Sequence, residues 1–368
     1  MTKANFLPDP VHVALGDRSY DISFHADITG LGTAIAPHCP ERAVVISNET
    51  IWALYGEAFM QALAAAGVDA AVWLMGDGEK YKSVETTSAA WDFLIEGRYS
   101  RKTCIIALGG GVVGDLAGFV AASFLRGVNF VQVPTTVVSM VDSSVGGKTG
   151  VDHPLGKNLI GAFYQPKLVA IHIPFLKTLD AHNLHGGFAE VLKYGVIYDE
   201  EFFGWLEQNL DSALALDEAA MAHVVRRSCE IKADVVSQDE HENGLRAILN
   251  YGHTFGHAIE ALGEYSERQF HGQAVAIGMA CAADMAVSLG LLTQDAADRI
   301  CRLIERAGLP QHLSADMDPA AVYDKMFSDK KVAAGKIRFI LPTRVGEVVL
   351  KGDIAQDVVI QTLTARQK

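Results

Sequence analysis

Apolar positions in the first half of the chain fall in short runs separated by amphipathic stretches. Val11 to Ala14 and Tyr20 to Phe24 flank Gly16-Asp17-Arg18-Ser19 and predict an opening hairpin. Val44-Val45-Ile46, Ala71-Val72-Trp73-Leu74, Cys104-Ile105-Ile106-Ala107-Leu108, Phe130-Val131-Gln132-Val133 and Leu168-Val169-Ala170-Ile171 predict strands. Ile51 to Ala66 and Val84 to Glu96 carry their apolar residues at helical spacing. Strands apolar on both faces, alternating with helices, predict a parallel Rossmann-like sheet covered by helices.

The second half is patterned differently. Helical periodicity dominates from Gly187 to about Asp329, in Glu218 to Val236, Gly252 to Leu262, Gln273 to Leu289 and Asp295 to Ala307. Only Ile337 to Leu341 and Glu347 to Leu350 read as strands. At 368 residues the chain is long for one core. The change of period near Pro174 predicts an α/β domain over residues 1–173 and a mainly α-helical domain over residues 174–368. A cleft between the two is the expected place for an active site.

Composition narrows the partners. Hydrophobic residues at 49% and charged residues at 20% describe an ordinary globular protein. A net charge of −13 argues against nucleic acid or an anionic membrane as the main partner. It leaves room for a small anion, which feels a local cation cluster more than distant charge. The five cysteines are widely spaced and form no CxxC pair, so a disulfide framework is not expected and a reducing cytoplasm is. Met1 to Pro10 lacks an apolar signal core. Ala274 to Leu292, interrupted by Asp284, reads as a buried helix and not a membrane span.

Candidate chemistry lies in both halves. Leu108-Gly109-Gly110-Gly111-Val112-Val113-Gly114-Asp115 follows an apolar strand and opens a helix, whose free N–H groups suit a phosphate. It departs from the strict GxGxxG pattern, and a plain tight turn is its simpler reading. Asp77-Gly78-Glu79-Lys80-Tyr81-Lys82 follows another strand and offers carboxylates to ribose hydroxyls, or is a solvated loop. Asp142-Ser143-Ser144-Val145-Gly146-Gly147-Lys148-Thr149-Gly150 resembles a Walker A loop only superficially, because Asp142 stands where that motif needs glycine. Its Gly-Gly-Lys turn can still hold an anion.

In the helical half, Glu190, His253 and His271 stand out as metal-ligand candidates. One Glu and two His, with no Cys, suit a borderline divalent ion such as zinc and leave positions open for substrate. His253 and His257 are spaced i, i+4 and share a helix face. From spacing alone both bind metal, or one binds metal and the other meets substrate. A solitary histidine on a helix is more often an ordinary core or surface residue. His12, His25, His38, His223, His241 and His312 read as surface residues.

Together these segments resemble the 3-dehydroquinate synthase family. The matches include Arg126-Gly127, Gln132-Val133-Pro134-Thr135-Thr136, Val141 to Val151 and His153-Pro154-Leu155-Gly156-Lys157-Asn158-Leu159-Ile160-Gly161. Gly187 to Gly195, Gly244 to Glu260, His271 to Met279 and Lys330-Lys331 with Gly335-Lys336-Ile337-Arg338 continue the series in order over nearly the whole chain. The resemblance implies an NAD- and metal-dependent enzyme, with zinc or cobalt at Glu190, His253 and His271. NAD would be held by Asn48, by Asp77, Gly78, Glu79, Lys80, Tyr81 and Lys82, and by Gly111, Val112, Val113, Gly114 and Asp115. Thr135, Thr136, Lys148, Lys157, Phe175, Leu176, Lys177 and Thr178 would complete that set.

The catalytic group would comprise Lys148, Lys193, Arg246, Asn250 and His257, and substrate would meet Arg126, Asp142, Asn158, Lys232 and Lys336. The family's substrate, a heptulosonate phosphate, carries a carboxylate and a phosphate, which those cations suit. The resemblance also implies a homodimer in which Arg126 reaches the neighbouring subunit. One departure concerns His182-Asn183, which occupy positions where the family usually has Arg-Glu. Stabilising the turn before the helix is the expected role of that pair. The rival readings are a sibling sugar-phosphate cyclase, a metal-dependent alcohol dehydrogenase and a non-catalytic nucleotide sensor.

Overall fold

The computed structural model describes residues 7–263, 271–327 and 337–368. By internal packing these form two units, one of residues 1–179 with 221–241, the other of residues 180–220 with 242–368. The division thus falls six residues later than the change of sequence period suggests, at Leu179–Asp180 against 173–174, and it returns part of the helical half to the first unit. The physical reason is local. Phe175 is buried and packs its ring against Tyr55, at 4.4 Å between centroids. Residues 221–241 contribute Lys232, which donates to the Asp142 carbonyl at 2.6 Å, and Cys229, whose thiol meets the Met140 carbonyl at 3.3 Å.

The first unit opens with β1 (Val11–Val13), β2 (Tyr20–Phe24) and α1 (Ile28–Ile35). Then come β3 (Ala43–Asn48), α2 (Glu49–Ala65), β4 (Ala70–Met75), α3 (Val84–Glu96), β5 (Cys104–Gly109), α4 (Gly111–Ser123) and β6 (Asn129–Pro134). An antiparallel ribbon of β7 (Lys148–His153) and β8 (Gly156–Phe163) precedes β9 (Leu168–Ile171). The main sheet has seven strands in the order β1-β2-β9-β6-β5-β3-β4. Only β1 and β2 pair antiparallel, as the opening hairpin requires. β5 and β9 are buried at every residue, which explains why both their faces are apolar. From β3 the chain runs outward to β4 and then returns to β5 on the other side. The order therefore reverses at the β3–β5 pair, and ligands bind outside the carboxyl ends of strands at such a point.

The second unit is helical. It contains α5 (Ala181–Ile197), α6 (Glu200–Leu214), the first residues of α7 (Glu218–Gln238), α8 (His253–Leu262) and α9 (His271–Ser288). α10 (Gln294–Arg306), α11 (Pro319–Met326), the hairpin β10 (Phe339–Arg344) and β11 (Glu347–Lys351), and α12 (Gln356–Ala365) complete it. α9 is buried almost throughout, from Gly272 to Ala283 and at Met285 and Ala286, and is the axis of this unit. Small residues let its neighbours come close. A Cβ on Gly272 would stand 2.1 Å from the Gly186 carbonyl oxygen of α5. Among the described residues no helix is long and apolar enough to cross a membrane. All five cysteines are free.

Candidate active site

Three helices deliver the metal-ligand candidates. Glu190 lies in the second half of α5 and is fully buried, His253 is the first residue of α8, and His271 is the first residue of α9. One donor atom from each falls within 4.8 Å of the others, and this is the one such cluster among the described residues. His253 Nε2 is 3.4 Å and His271 Nε2 is 3.3 Å from Glu190 Oε1. His257 stays outside the cluster, with its ring 5.4 Å from that of His253 and 6.1 Å from that of His271. Of the two histidines that spacing left open, His253 and not His257 is in the cluster.

The far side of each ring sets its tautomer. His253 Nδ1 is 3.0 Å from the Tyr251 carbonyl, which only accepts, so Nδ1 carries the proton, and in the neutral ring Nε2 faces Glu190 with a lone pair. His271 Nδ1 faces Glu260 Oε2 at 3.4 Å, with the same consequence. Glu190 Oε1 is buried and makes no hydrogen bond, while Oε2 accepts from the buried Lys193 ammonium. A buried carboxylate oxygen facing two imidazole nitrogens is a donor set that fits a divalent ion.

Without a cation the three groups shift one another's titration. Burial pushes the Glu190 carboxyl up, but Lys193 and the two histidines outweigh it and hold it well below the carboxylate range. Burial lowers the His271 imidazole, whereas the carboxylates of Glu190 and Glu260 on either side of the ring more than reverse this and push it up to about 10. Its side chain is 40% exposed, so solvent screens part of that pull.

Other predicted residues of this unit lie close in sequence to the ligands. Arg246 is 1% exposed, in the short helical turn Leu245–Asn250. Asn250 donates to Glu242 at 2.5 Å. His182 and Asn183 form the start of α5. The Asp180 carboxylate caps that helix by accepting from the Asn183 backbone at 2.9 Å and from its side-chain amide at 2.6 Å. His182 Nδ1 lies 3.5 Å from Gln273. Asn183 therefore serves the helix start. Lys336 lies outside the described residues.

In the first unit the predicted nucleotide residues gather at the carboxyl ends of β3, β4, β5 and β6. Asn48 ends β3 and caps α2, and its amide donates to Asp77 at 2.8 Å. Thr50 donates to the second Asp77 oxygen at 2.6 Å. Gly78 is exposed, Lys80 lies over the Tyr81 ring at 5.0 Å, and Glu79 is 3.8 Å from Lys82. Gly111, Val112 and Val113 form the first turn of α4, which no side chain caps, and Gly114 packs on Gln132. Thr135 is buried with an unpartnered hydroxyl, and Thr136 exchanges hydrogen bonds with Ser139.

The cations here are mostly matched. Lys82 is buried and bridges Asp115 at 2.7 Å and Asn158 at 2.6 Å. Burial would lower its ammonium, but Asp115 and Glu79 hold it above the usual lysine range. Burial raises the Asp115 and Glu79 carboxyls against the pull of Lys82. Lys157 is 4.0 Å from Glu79, and Lys232 donates to Asp142 Oδ1 at 2.7 Å. Lys148 and Arg126 are exposed, the latter at φ 66°. Phe175 and Leu176 are core residues, whereas Lys177 and Thr178 are exposed.

Sequence reasoning passed over several residues. The sequence pattern gives Asp142 to Gly150 a glycine turn and residues 151–163 no element, yet Lys148–His153 and Gly156–Phe163 form a two-stranded ribbon. Glu260 was noted without a role. His25, His38 and His312 are half-buried, not surface residues, and the His25 carbonyl accepts from His172 Nδ1 at 2.9 Å. The i, i+7 spacing of His253 and Glu260 was the available signal for Glu260.

Comparison with known proteins gives the family. Family models described as 3-dehydroquinate synthase N-terminal and C-terminal match residues 72–186 and 187–332. A 3-dehydroquinate synthase of Pelotomaculum thermopropionicum is 50% identical over 359 residues, covering 97% of this chain and 96% of the relative. The solved 2-epi-5-epi-valiolone synthase of Streptomyces hygroscopicus subsp. jinggangensis, with NAD+ and Zn2+ bound, is 29% identical at TM-score 0.88, covering 96% of this chain and 98% of that one. A 2-deoxy-scyllo-inosose synthase complexed with carbaglucose-6-phosphate, NAD+ and Co2+ is 24% identical at TM-score 0.89, covering 97% and 100%, and shares the fold.

Proposed function

The chain belongs to the 3-dehydroquinate synthase family, and we propose that it converts 3-deoxy-D-arabino-heptulosonate 7-phosphate into 3-dehydroquinate and phosphate. The observation that carries this is the cluster of Glu190, His253 and His271 around a buried, unbonded carboxylate oxygen, in a chain matching that family over nearly its whole length. The enzyme is a carbon–oxygen lyase that forms a ring. When bound, NAD supplies a reversible hydride acceptor, and zinc or cobalt at the three ligands supplies Lewis acidity toward a substrate hydroxyl.

The protein's own share is binding, orientation and charge. Lys193 holds Glu190 Oε2 and so aims Oε1 at the imidazoles. The buried Arg246 gives a guanidinium whose planar fork matches a carboxylate. Asn250, fixed by Glu242, orients a hydroxyl, and half-buried His257 beside His253 is placed to relay a proton. In the first unit, the uncapped turn of α4 takes the pyrophosphate of NAD, and Asp77, fixed by Asn48 and Thr50, takes a ribose hydroxyl. Lys148, Lys157, Lys232, Asn158, Asp142 and Lys336 serve the phosphate end of the substrate and the nicotinamide side. The exposed Arg126 serves a neighbouring subunit in a cytoplasmic homodimer. His182-Asn183 give a sibling cyclase no support, because Asn183 is engaged in the cap of α5.

The test is phosphate release from the heptulosonate phosphate with zinc and substoichiometric NAD, while the NADH absorbance is followed. Many phosphates per NAD, no lasting NADH and 3-dehydroquinate as product are expected. Steady NADH accumulation without phosphate would replace the cyclase with a dehydrogenase.

A further inference from the structure

α8 carries three polar side chains on one stripe, at i, i+4 and i+7: His253, His257 and Glu260. Two belong to the site already described. The third is a carboxylate only 8% exposed, and carboxylates are seldom buried without a partner that needs their charge.

Glu260 Oε2 faces His271 Nδ1 at 3.4 Å, long for a hydrogen bond but directed at the ring nitrogen opposite the one facing Glu190. The two histidine ligands differ in what holds them. The His253 side chain is 10% exposed, and its Nδ1 bonds a backbone carbonyl at 3.0 Å. The His271 side chain is 40% exposed and begins its helix, so packing restrains its ring much less. The hydrogen bond to Glu260 is what fixes its rotation. A carboxylate accepts and does not donate, so it holds the proton on Nδ1 and leaves the Nε2 lone pair toward the centre.

We propose that Glu260 is a positioning residue for the metal centre, orienting His271 and strengthening it as a donor to a divalent cation. This rests on reading Glu190, His253 and His271 as the ligands. Outer carboxylates of this kind contribute about 10–100-fold to metal affinity.

The experiment uses the full chain, stripped of metal and titrated with zinc against a chromophoric chelator, with cobalt spectra recorded in parallel. Parent, Glu260→Ala, Glu260→Gln and His271→Ala are compared. Glu260→Ala is expected to bind zinc about 10–100-fold more weakly and to show a displaced cobalt d–d band. Glu260→Gln, whose amide oxygen still accepts from Nδ1, recovers part of the loss and keeps a readout should the alanine variant fold poorly. Both variants binding zinc within about twofold of parent, with the parent cobalt spectrum, overturns the proposal. A parent that takes up no zinc, or a His271→Ala chain with undiminished affinity, overturns the metal reading itself and this proposal with it.

Discussion

Gly272→Ala tests the metal centre without touching a ligand. The new Cβ would stand 2.1 Å from the Gly186 carbonyl oxygen, 2.5 Å from its carbon and 2.7 Å from its Cα. These are backbone atoms of the facing helix, so no rotamer change relieves the clash. Ordinary contact begins at 3.4 Å, and α5 and α9 must therefore part by roughly 1 Å. Glu190 is one turn beyond Gly186 on α5, and His271 immediately precedes Gly272, so the separation passes directly into the distance between two ligands. Metal–ligand distances tolerate about 0.2 Å. Zinc affinity should fall at least about tenfold and turnover about 100-fold, with about 1–3 kcal/mol lost from the metal-free fold.

Gly186→Ala is the matched control. Its Cβ would meet the Gln273 amide at 3.5 Å, which is ordinary contact, and alanine favours the helix by up to about 1 kcal/mol. Zinc competition and thermal melting of both metal-free variants provide the assay. A Gly272→Ala protein with parent affinity and melting temperature, or a Gly186→Ala protein that is the more damaged, refutes the close-packing argument.

His271→Ala should abolish phosphate release while circular dichroism stays that of the parent, and zinc content after dialysis checks it. Asp180→Ala should cost about 1 kcal/mol through loss of the α5 cap. Partial burial raises the Asp180 carboxyl, but hydrogen bonds from Asn183 and the His182 backbone more than reverse this, so its folded value is depressed. The contribution is then full above the ordinary carboxylate value of about 4 and is lost as pH falls through the depressed one. The melting gap between parent and variant should be flat above about pH 5 and close in more acid solution. Arg366→Ala breaks a fork on Asp284, at 2.5 and 2.7 Å, together with a bond to Gln311 at 3.2 Å. It should cost about 2 kcal/mol in urea unfolding, and Arg366→Lys should recover only part.

Much of this architecture is legible in consecutive residues. Strand and helix periods locate β3 to β6, β9 and α2, α3, α8 and α9 to within a few residues, because alternation and helical spacing are properties of neighbouring positions. The β7–β8 ribbon escaped because Gly146, Gly147 and Gly150 dilute its alternation and read as a turn. The unit boundary escaped because the segment after Met221 has ordinary helical period, and nothing in that period says which unit it packs with.

The sequence alone determined the two halves, the doubly buried strands, the glycine-rich turn before α4 and the residue types of the metal set. Three decisions belonged to the tertiary structure. It brought His253 and not His257 into the cluster with Glu190 and His271, joined residues 221–241 to the first unit, and set Glu260 behind His271. Each is a distance between residues that no periodicity relates. Such distances follow from how closely helices approach, and here a glycine without a side chain brings α9 against α5.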